Sequence, residues 1–465
     1  MALSPPPATS SRSDRRAHVQ RLAAPVLALI LAGSAFAVRL HGITDPLVLF
    51  HAMRHYRSAL IARACFDDHE ATTPAWARRV ADANRDIQPA GEPPIMEMVA
   101  CAVDRVRGRE DVVMPRAFAA ASWVFGALPL WLLAQRLTSR TSALVAIALY
   151  LFLPYAIIAT RSFQPDALMT MCVLWAVLAA VRWRDRATHR TTFEASALLG
   201  VAVLVKPMAI FLVVPAVLSA RSRTVTSKIR VIAAGLVPAT LYYGWAAIFG
   251  TLVRDQMSTR FVPALVATSF FWHGWAVQIG RVIGWPWMLV AVAGTWFGPD
   301  GDGRRLLAAL WIGYAAFAIA FTYHVPTHDY YHLPYVAAAA LGVAGVAERL
   351  CRLIADRVGH LATQALIWIA VLAIALGGSA VAWPRLTVSR ATSLVATYAR
   401  LGDITHHSTR VLFLDLEYGY PLMYHGQMAG DEWPNTDDLA WIIHEKGEVV
   451  ETQTPPRGYS VVLSH

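Results

Sequence analysis

Long apolar runs separated by short polar links dominate the chain, and they predict its elements. The runs fall at 21–40, 114–136, 141–160, 165–182, 192–205, 207–220, 228–250, 282–297, 304–323, 332–348 and 361–383. A helix needs roughly 20 apolar residues to cross a bilayer. The pattern therefore predicts an all-α polytopic membrane protein of about eleven transmembrane segments, with 192–205 and 207–220 as the two short ones. Residues 1–20, with PPP and SSRSDRR, read as a disordered basic cytoplasmic tail. Residues 21–383 form the membrane domain, including a polar loop at 41–111, and 384–465 form a small α/β C-terminal region.

Within the loop, positions 46–64 laid on a helix place Leu49, Met53, Tyr56, Leu60 and Ala64 on one side and His51, Arg54, His55 and Ser58 on the other. That is the pattern of a helix lying at the membrane surface, either as an anchor or as part of a site. Glu92-Pro93-Pro94 starts a second helix of this kind, with Ile95, Met98, Val99, Ala102, Val103 and Val106 at helical spacing. In the tail, 410–416 and 458–463 read as buried strands and 437–447 as a helix that ends at glycine.

Composition agrees with this picture, since 56% of residues are hydrophobic and only 15% charged. The net charge of +10 is mostly arginine in short links, which membrane topology explains without nucleic acid. Links rich in arginine alternate with links poor in it, which places the N-terminus in the cytoplasm and the 41–111 loop and C-terminus outside. This alternation requires the chain to go out and come back around Lys206-Pro207. Of four cysteines, Cys65 and Cys101 share a compartment. An extracytoplasmic loop allows a bridge between them, but the sequence does not bring their Cα atoms together, and two free thiols are the expectation.

The candidate chemistry gathers on the outer side. No zinc spacing, phosphate loop, dinucleotide fingerprint or nucleophile elbow is present. What stands out is a set of ionisable residues at membrane boundaries: Asp45, His51, Arg54, Arg57, Glu92, Arg161, Asp166, Lys206, His328, Asp329 and His332. Each has a structural reading as well, Arg161 with Asp166 as a pair across a tight link, Lys206 as a snorkelling side chain, and His328, Asp329 and His332 as solvated groups or metal ligands. Together they suit a cavity in which basic groups hold a lipid-linked phosphate while a carboxylate accepts a proton from an acceptor hydroxyl.

The stretches PLVLFHAMRHYRSALIAR, GEPPI at 91–95, RSFQPDALM at 161–169, VLVKPMAI at 203–210 and YYHLP at 330–334 carry a family resemblance. The chain resembles the C-type (GT-C) membrane glycosyltransferases, specifically bacterial relatives of the protein O-mannosyltransferases and the aminoarabinose transferase of lipid A. That resemblance implies a multi-pass protein of the bacterial inner membrane that moves a hexosyl or pentosyl group from a polyprenyl-phosphate donor to an envelope acceptor at the outer face, with inversion. It implies Arg54, Arg57, Arg161 and Lys206 as ligands of the lipid phosphate; from the cluster of ionisable residues, His51, Asp166, His328 and Asp329 are further substrate-binding candidates. A divalent metal assists some members and not others, and none is assigned. The acidic residue that relatives carry immediately before the Phe-His pair is Leu49 in this chain, so Asp45 and Glu92 are the candidates for the base. Leu49 also motivates an alternative, a catalytically silent relative that binds lipid or assists envelope assembly. The Lys-Pro-Pro of the aminoarabinose branch is here Glu92-Pro93-Pro94.

Overall fold

The computed structural model describes residues 12–47, 50–70, 72–87, 92–249, 261–299, 301–387, 391–414, 416–432 and 460–463. Helix α1 (Arg12–Leu40) is followed by three helices of the polar loop, α2 (Ala52–His69), α3 (Ala75–Ile87) and α4 (Ile95–Arg107). The body continues with α5 (Val113–Leu137), α6 (Arg140–Phe152), α7 (Pro154–Ala159), α8 (Asp166–Asp185), α9 (His189–Val205), α10 (Ile210–Leu218) and α11 (Val225–Phe249). Then come α12 (Ser269–Val282), α13 (Trp285–Phe297), α14 (Gly301–Ala320), α15 (Tyr335–Val358) and α16 (His360–Leu386). The C-terminal part holds α17 (Ala391–Ile404), β1 (Val411–Leu414), α18 (Tyr420–Gly426), β2 (Gly430–Glu432) and β3 (Ser460–Leu463).

All eleven apolar runs recur as helices, but fewer satisfy length and apolarity on their own. Among the described residues six do: Ala23–Leu40 of α1, and α5, α8, α11, α14 and α16. The pair α12 and α13, bent by 95°, would add a seventh. The others fall short for visible reasons: Pro154 divides the third run into α6 and α7, and α15 carries Glu348, Arg349 and Arg352 past its apolar half. Helix α1 also starts at Arg12, inside the stretch expected to be disordered, because RSDRRAHVQR contains neither Gly nor Pro to stop it.

The short segments at 192–205 and 207–220 run as expected. Lys206, at the end of α9, pairs with Asp166 at the N-terminal end of α8, whereas Arg223, just past α10, donates to the Arg184 carbonyl near the other end of α8 at 2.7 and 3.2 Å. So α9 runs along α8 to Lys206 and α10 returns. Pro207 supplies the break, since it cannot donate to a continuing helix.

Small residues set the helix spacing in the body. A Cβ on Gly294 of α13 would collide with the Gly342 carbonyl of α15, so those two helices touch backbone to backbone. Between α5 and α6, Trp123 and Tyr150 stack with ring centroids 4.2 Å apart, and each side chain donates to the other's carbonyl. These bonds satisfy two polar groups that hydrocarbon could not.

One loop helix departs from expectation. Helix α2 is no surface helix: His55 and Tyr56 are 0% and 1% exposed, and Ser58 is buried as well. One side faces the membrane body, and the other is covered by α4 and the C-terminal unit. Periodicity identified two chemically different sides but not that partners cover both. Arg63 ties α2 to the C-terminal unit by donating to the Tyr424 carbonyl at 2.6 Å, bonding Glu110 at 2.7 Å, and lying 3.8 Å above the Tyr424 ring. Helix α4 behaves as expected, with Met98 and Val106 exposed and Met96, Glu97, Ala100 and Cys101 buried. Cys65 and Cys101 form a disulfide between α2 and α4, Cα to Cα 5.9 Å, which corrects the expectation of free thiols. The α2–α4 packing makes that approach, and it is absent from the spacing of the two residues.

In the C-terminal unit both expected strands are present, as β1 and β3, joined by β2 in a parallel sheet of order β2-β1-β3. Val411 pairs with Gly430 on one side and Ser460 on the other. The helix expected at 437–447 lies outside the described residues.

Candidate functional site

The site begins at the corner made by Lys206 and Pro207. Ending α9 there aims the lysine across to the start of α8, where its Nζ lies 2.7 Å from Asp166 Oδ1. Lys206 is 1% exposed and Asp166 3%. Lys206 therefore does not snorkel, and Asp166 pairs with it rather than with Arg161. Arg54 of α2 approaches the same carboxylate from the other side, at 3.9 Å from Oδ2. Tyr330 lies beneath both cations, 4.3 Å from the Arg54 guanidinium and 5.3 Å from the Lys206 ammonium, and Tyr331 is 5.2 Å from Lys206. Aromatic faces are a favourable surface for cations held away from water.

Burial works against the charge on Arg54, but Tyr330, Asp166 and Glu92 outweigh it and raise its pKa. Glu92 is half-buried and acts on Lys206 as well as Arg54. It is thus the candidate base that shares a neighbourhood with the two cations.

A second cluster adjoins the first through Tyr330. His51 stands at the start of α2 with φ 45° and ψ 46°, a left-handed conformation that non-glycine residues seldom adopt. Its Nε2 lies 2.6 Å from Asp329 Oδ1, and the Tyr155 hydroxyl donates to the same oxygen at 2.7 Å. Arg281 is 3.6 Å from Oδ2. Burial opposes ionisation of Asp329, yet the bonds from His51 and Tyr155 and the nearby Arg281 hold its pKa below the usual carboxylate range. His328, by contrast, is pushed down to about 4 by burial and then by Arg54 and His51, so it is neutral at pH 7.

The metal reading of the 328–332 segment does not hold. His332 turns inward, bonding Tyr314 and, at 2.9 Å, the Val325 carbonyl. His328 contacts Thr327 and Asp329 faces His51. Among the described residues no group of three or more His, Cys, Asp or Glu could hold a metal ion.

Two expected site residues, Arg161 and Asp45, lie elsewhere. Arg161 donates to the Gly42 carbonyl at 2.6 Å and has Asp45, Arg116 and Arg39 among its charged neighbours. Asp45 lines a cavity with Arg161 and Arg116. Arg57 is half-buried and acts on Glu97. The acceptor of the Ser58 hydroxyl at 2.6 Å is Glu97, whose pKa burial raises. Leu49 lies outside the described residues.

Sequence reasoning missed Tyr155, Arg281 and Tyr330, which complete the two clusters, and Arg116, which is 1% exposed and donates to the Asp45 carbonyl at 2.7 Å and the Arg161 carbonyl at 3.1 Å. It also missed Glu417, which accepts from the Met53 N–H at 3.1 Å and so caps the first turn of α2 from the C-terminal unit. Arg116 did carry a signal, being an arginine within the first turn of an apolar run, where a charge is costly unless partnered.

The chain has likenesses among known families and folds. A family model described as Dolichyl-phosphate-mannose-protein mannosyltransferase matches residues 91–243, the segment that holds Glu92, Arg161, Asp166 and Lys206. No curated protein matches the chain. Among solved structures, ArnT from Cupriavidus metallidurans bound to undecaprenyl phosphate is similar at TM-score 0.61 and 14% identity, over 90% of this chain and 87% of that one. The same protein in the apo state gives 0.59 at 13% identity, over 91% and 89%. The archaeal oligosaccharyltransferase AglB from Archaeoglobus fulgidus, in complex with an inhibitory peptide and a dolichol-phosphate, gives 0.52 at 10% identity, over 88% of this chain and 64% of that one. At these identities the likeness is one of fold. By that fold and by the family segment at its centre, the chain is GT-C-like, similar to the membrane glycosyltransferases of that class.

Proposed function

We propose that this protein transfers a sugar from a polyprenyl-phosphate donor to a hydroxyl-bearing acceptor in the cell envelope, at the outer face of the membrane. The observation that carries this reading is the pair of cations, half-buried Arg54 and buried Lys206, sharing Asp166 and seated on Tyr330. A phosphate entering between them would replace part of what Asp166 supplies, with charge-assisted bonds of the kind guanidinium and ammonium groups make to phosphate. The fold relative that is bound to undecaprenyl phosphate supports the same ligand class.

In the reaction the acceptor oxygen forms a bond to the anomeric carbon while the bond from that carbon to the phosphate oxygen breaks. The bonding pair leaves with the polyprenyl phosphate, and the acceptor proton passes to a base. Arg54 and Lys206 hold the charge that develops on the phosphate, which is a larger effect in a buried site than in water. Glu92 takes the role of base, because its neighbourhood includes both cations, whereas Asp45 lies with Arg161 and Arg116. The His51–Asp329 pair, held by Tyr155, orients the sugar or acceptor beside Tyr330. The Cys65–Cys101 disulfide supports an oxidising, extracytoplasmic location for the loop that carries α2 and α4.

Leu49 favours one other reading, a relative that binds the lipid phosphate without transferring sugar. An assay of the purified protein with a polyprenyl-phosphate sugar separates the two. Sugar release that falls at least a hundredfold in Lys206→Ala supports transfer, and binding with no turnover in the wild type supports the silent relative.

A further inference from the structure

The cavity that holds Asp45 is separate from the Lys206 corner, and its chemistry is that of an anion site. It measures about 260 Å³ and is lined by Asp45, Arg116, Arg161 and Arg385 together with Phe50 and Leu386. Three arginines and one carboxylate line it, a formal excess of two positive charges. Arg161 is 4% exposed, and although its Nη2 donates to the Gly42 carbonyl, its Nε has no hydrogen-bond partner. A buried guanidinium N–H left unpaired is costly, and such a group in a wall of a positively charged cavity fits one that an incoming oxygen completes. Arg116 is spent differently: its Nε and Nη1 hold the carbonyls of Arg161 and Asp45, which fixes the two residues on either side of the space. Arg385, at the end of α16, is exposed at the rim.

The position of the cavity narrows the ligand. It sits where α1, α5, α7 and α16 end together, the depth at which the membrane-crossing helices Ala23–Leu40, Val113–Leu137 and His360–Leu386 leave the apolar region. Beside it His41 and Trp383 stack with centroids 4.3 Å apart, and half-exposed Trp at a span end is typical of headgroup level. We infer that Arg161, Arg116 and Arg385 form a second anion-binding site, distinct from the Arg54–Lys206 corner, which takes an anionic phosphate group. A lipid headgroup and free phosphate offer that chemistry alike, and the inference does not rest on the proposed transferase activity.

Native mass spectrometry of the intact protein, titrated in detergent with phosphatidylglycerol in one arm and inorganic phosphate in the other, tests it. Arg161→Gln is expected to weaken the adduct tenfold or more and Arg385→Gln severalfold. Loss in the phosphatidylglycerol arm alone identifies a headgroup, loss in the phosphate arm identifies the free ion, and either supports the site. Arg385 is exposed and its replacement does not threaten folding, so it decides the matter if Arg161→Gln is unstable. Adducts unchanged in both arginine variants would overturn the inference.

Discussion

Lys206 Nζ and Asp166 Oδ1 lie 2.7 Å apart in a setting where both residues are almost wholly buried. Removing one partner leaves an uncompensated charge, a loss of about 3–5 kcal/mol in buried pairs. Asp166→Asn is therefore expected to lower the thermal midpoint of the purified protein markedly. The double variant Asp166→Asn/Lys206→Met should recover part of that loss, because neither charge then remains. Additive losses would show that the pair is not coupled.

Tyr330 is expected to act through its ring face. Tyr330→Phe keeps the surface beneath Arg54 and Lys206 and should retain polyprenyl-phosphate binding within a few-fold, while Tyr330→Ala should weaken it about tenfold or more, in line with about 1–2 kcal/mol for desolvated cation–π contacts. Binding measured by microscale thermophoresis distinguishes the two, and equal losses would instead assign the effect to the hydroxyl.

The disulfide predicts a thiol count. Alkylation of the denatured, unreduced protein should label Cys172 and Cys351 but neither Cys65 nor Cys101. Replacing both bonded cysteines by serine should cost about 2–4 kcal/mol of stability. Four labelled thiols in protein taken from the envelope would contradict the pairing.

His425 gives a pH dependence with a defined sign. Burial, and then Arg63, push its pKa down to about 4, while in the unfolded chain it titrates near 6.5. The unfolded state therefore takes up the proton first. The contribution is fully present above about 6.5 and is lost as pH falls toward about 4. Asp67 and Asp104, raised to about 6 by burial, act in the opposite direction below that pH, so the effect is read as a difference. Melting curves at pH 7 and pH 5 should show a smaller drop in midpoint for His425→Gln than for the wild type. An equal drop would place the proton uptake elsewhere.

Much of the scaffold was legible in the sequence, because apolar runs and a Lys-Pro break are one-dimensional signals. Lys206 reads from the sequence alone as the corner between two short segments. What spacing could not supply was direction. Arg161 and Asp166 stand five residues apart and read as a pair, yet Asp166 turns to Lys206 and Arg161 to Gly42. The same blindness affected α2, whose two-sided pattern suits a membrane surface as well as a helix covered on both sides. His55 illustrates this: it accepts from the Phe163 N–H at 3.0 Å in the interior, where the periodicity implied water. Contacts such as Tyr155 to Asp329 and Glu417 to Met53 join residues 174 and 364 positions apart, and no local pattern carries them.

The central claim is that Arg54 and Lys206 hold a lipid phosphate, and direct binding tests it best. Undecaprenyl phosphate, used as the probe, should bind the purified wild-type protein and lose at least tenfold in affinity in both Arg54→Ala and Lys206→Ala, with each variant still folded by its melting curve. Affinity unchanged in both folded variants would contradict the account.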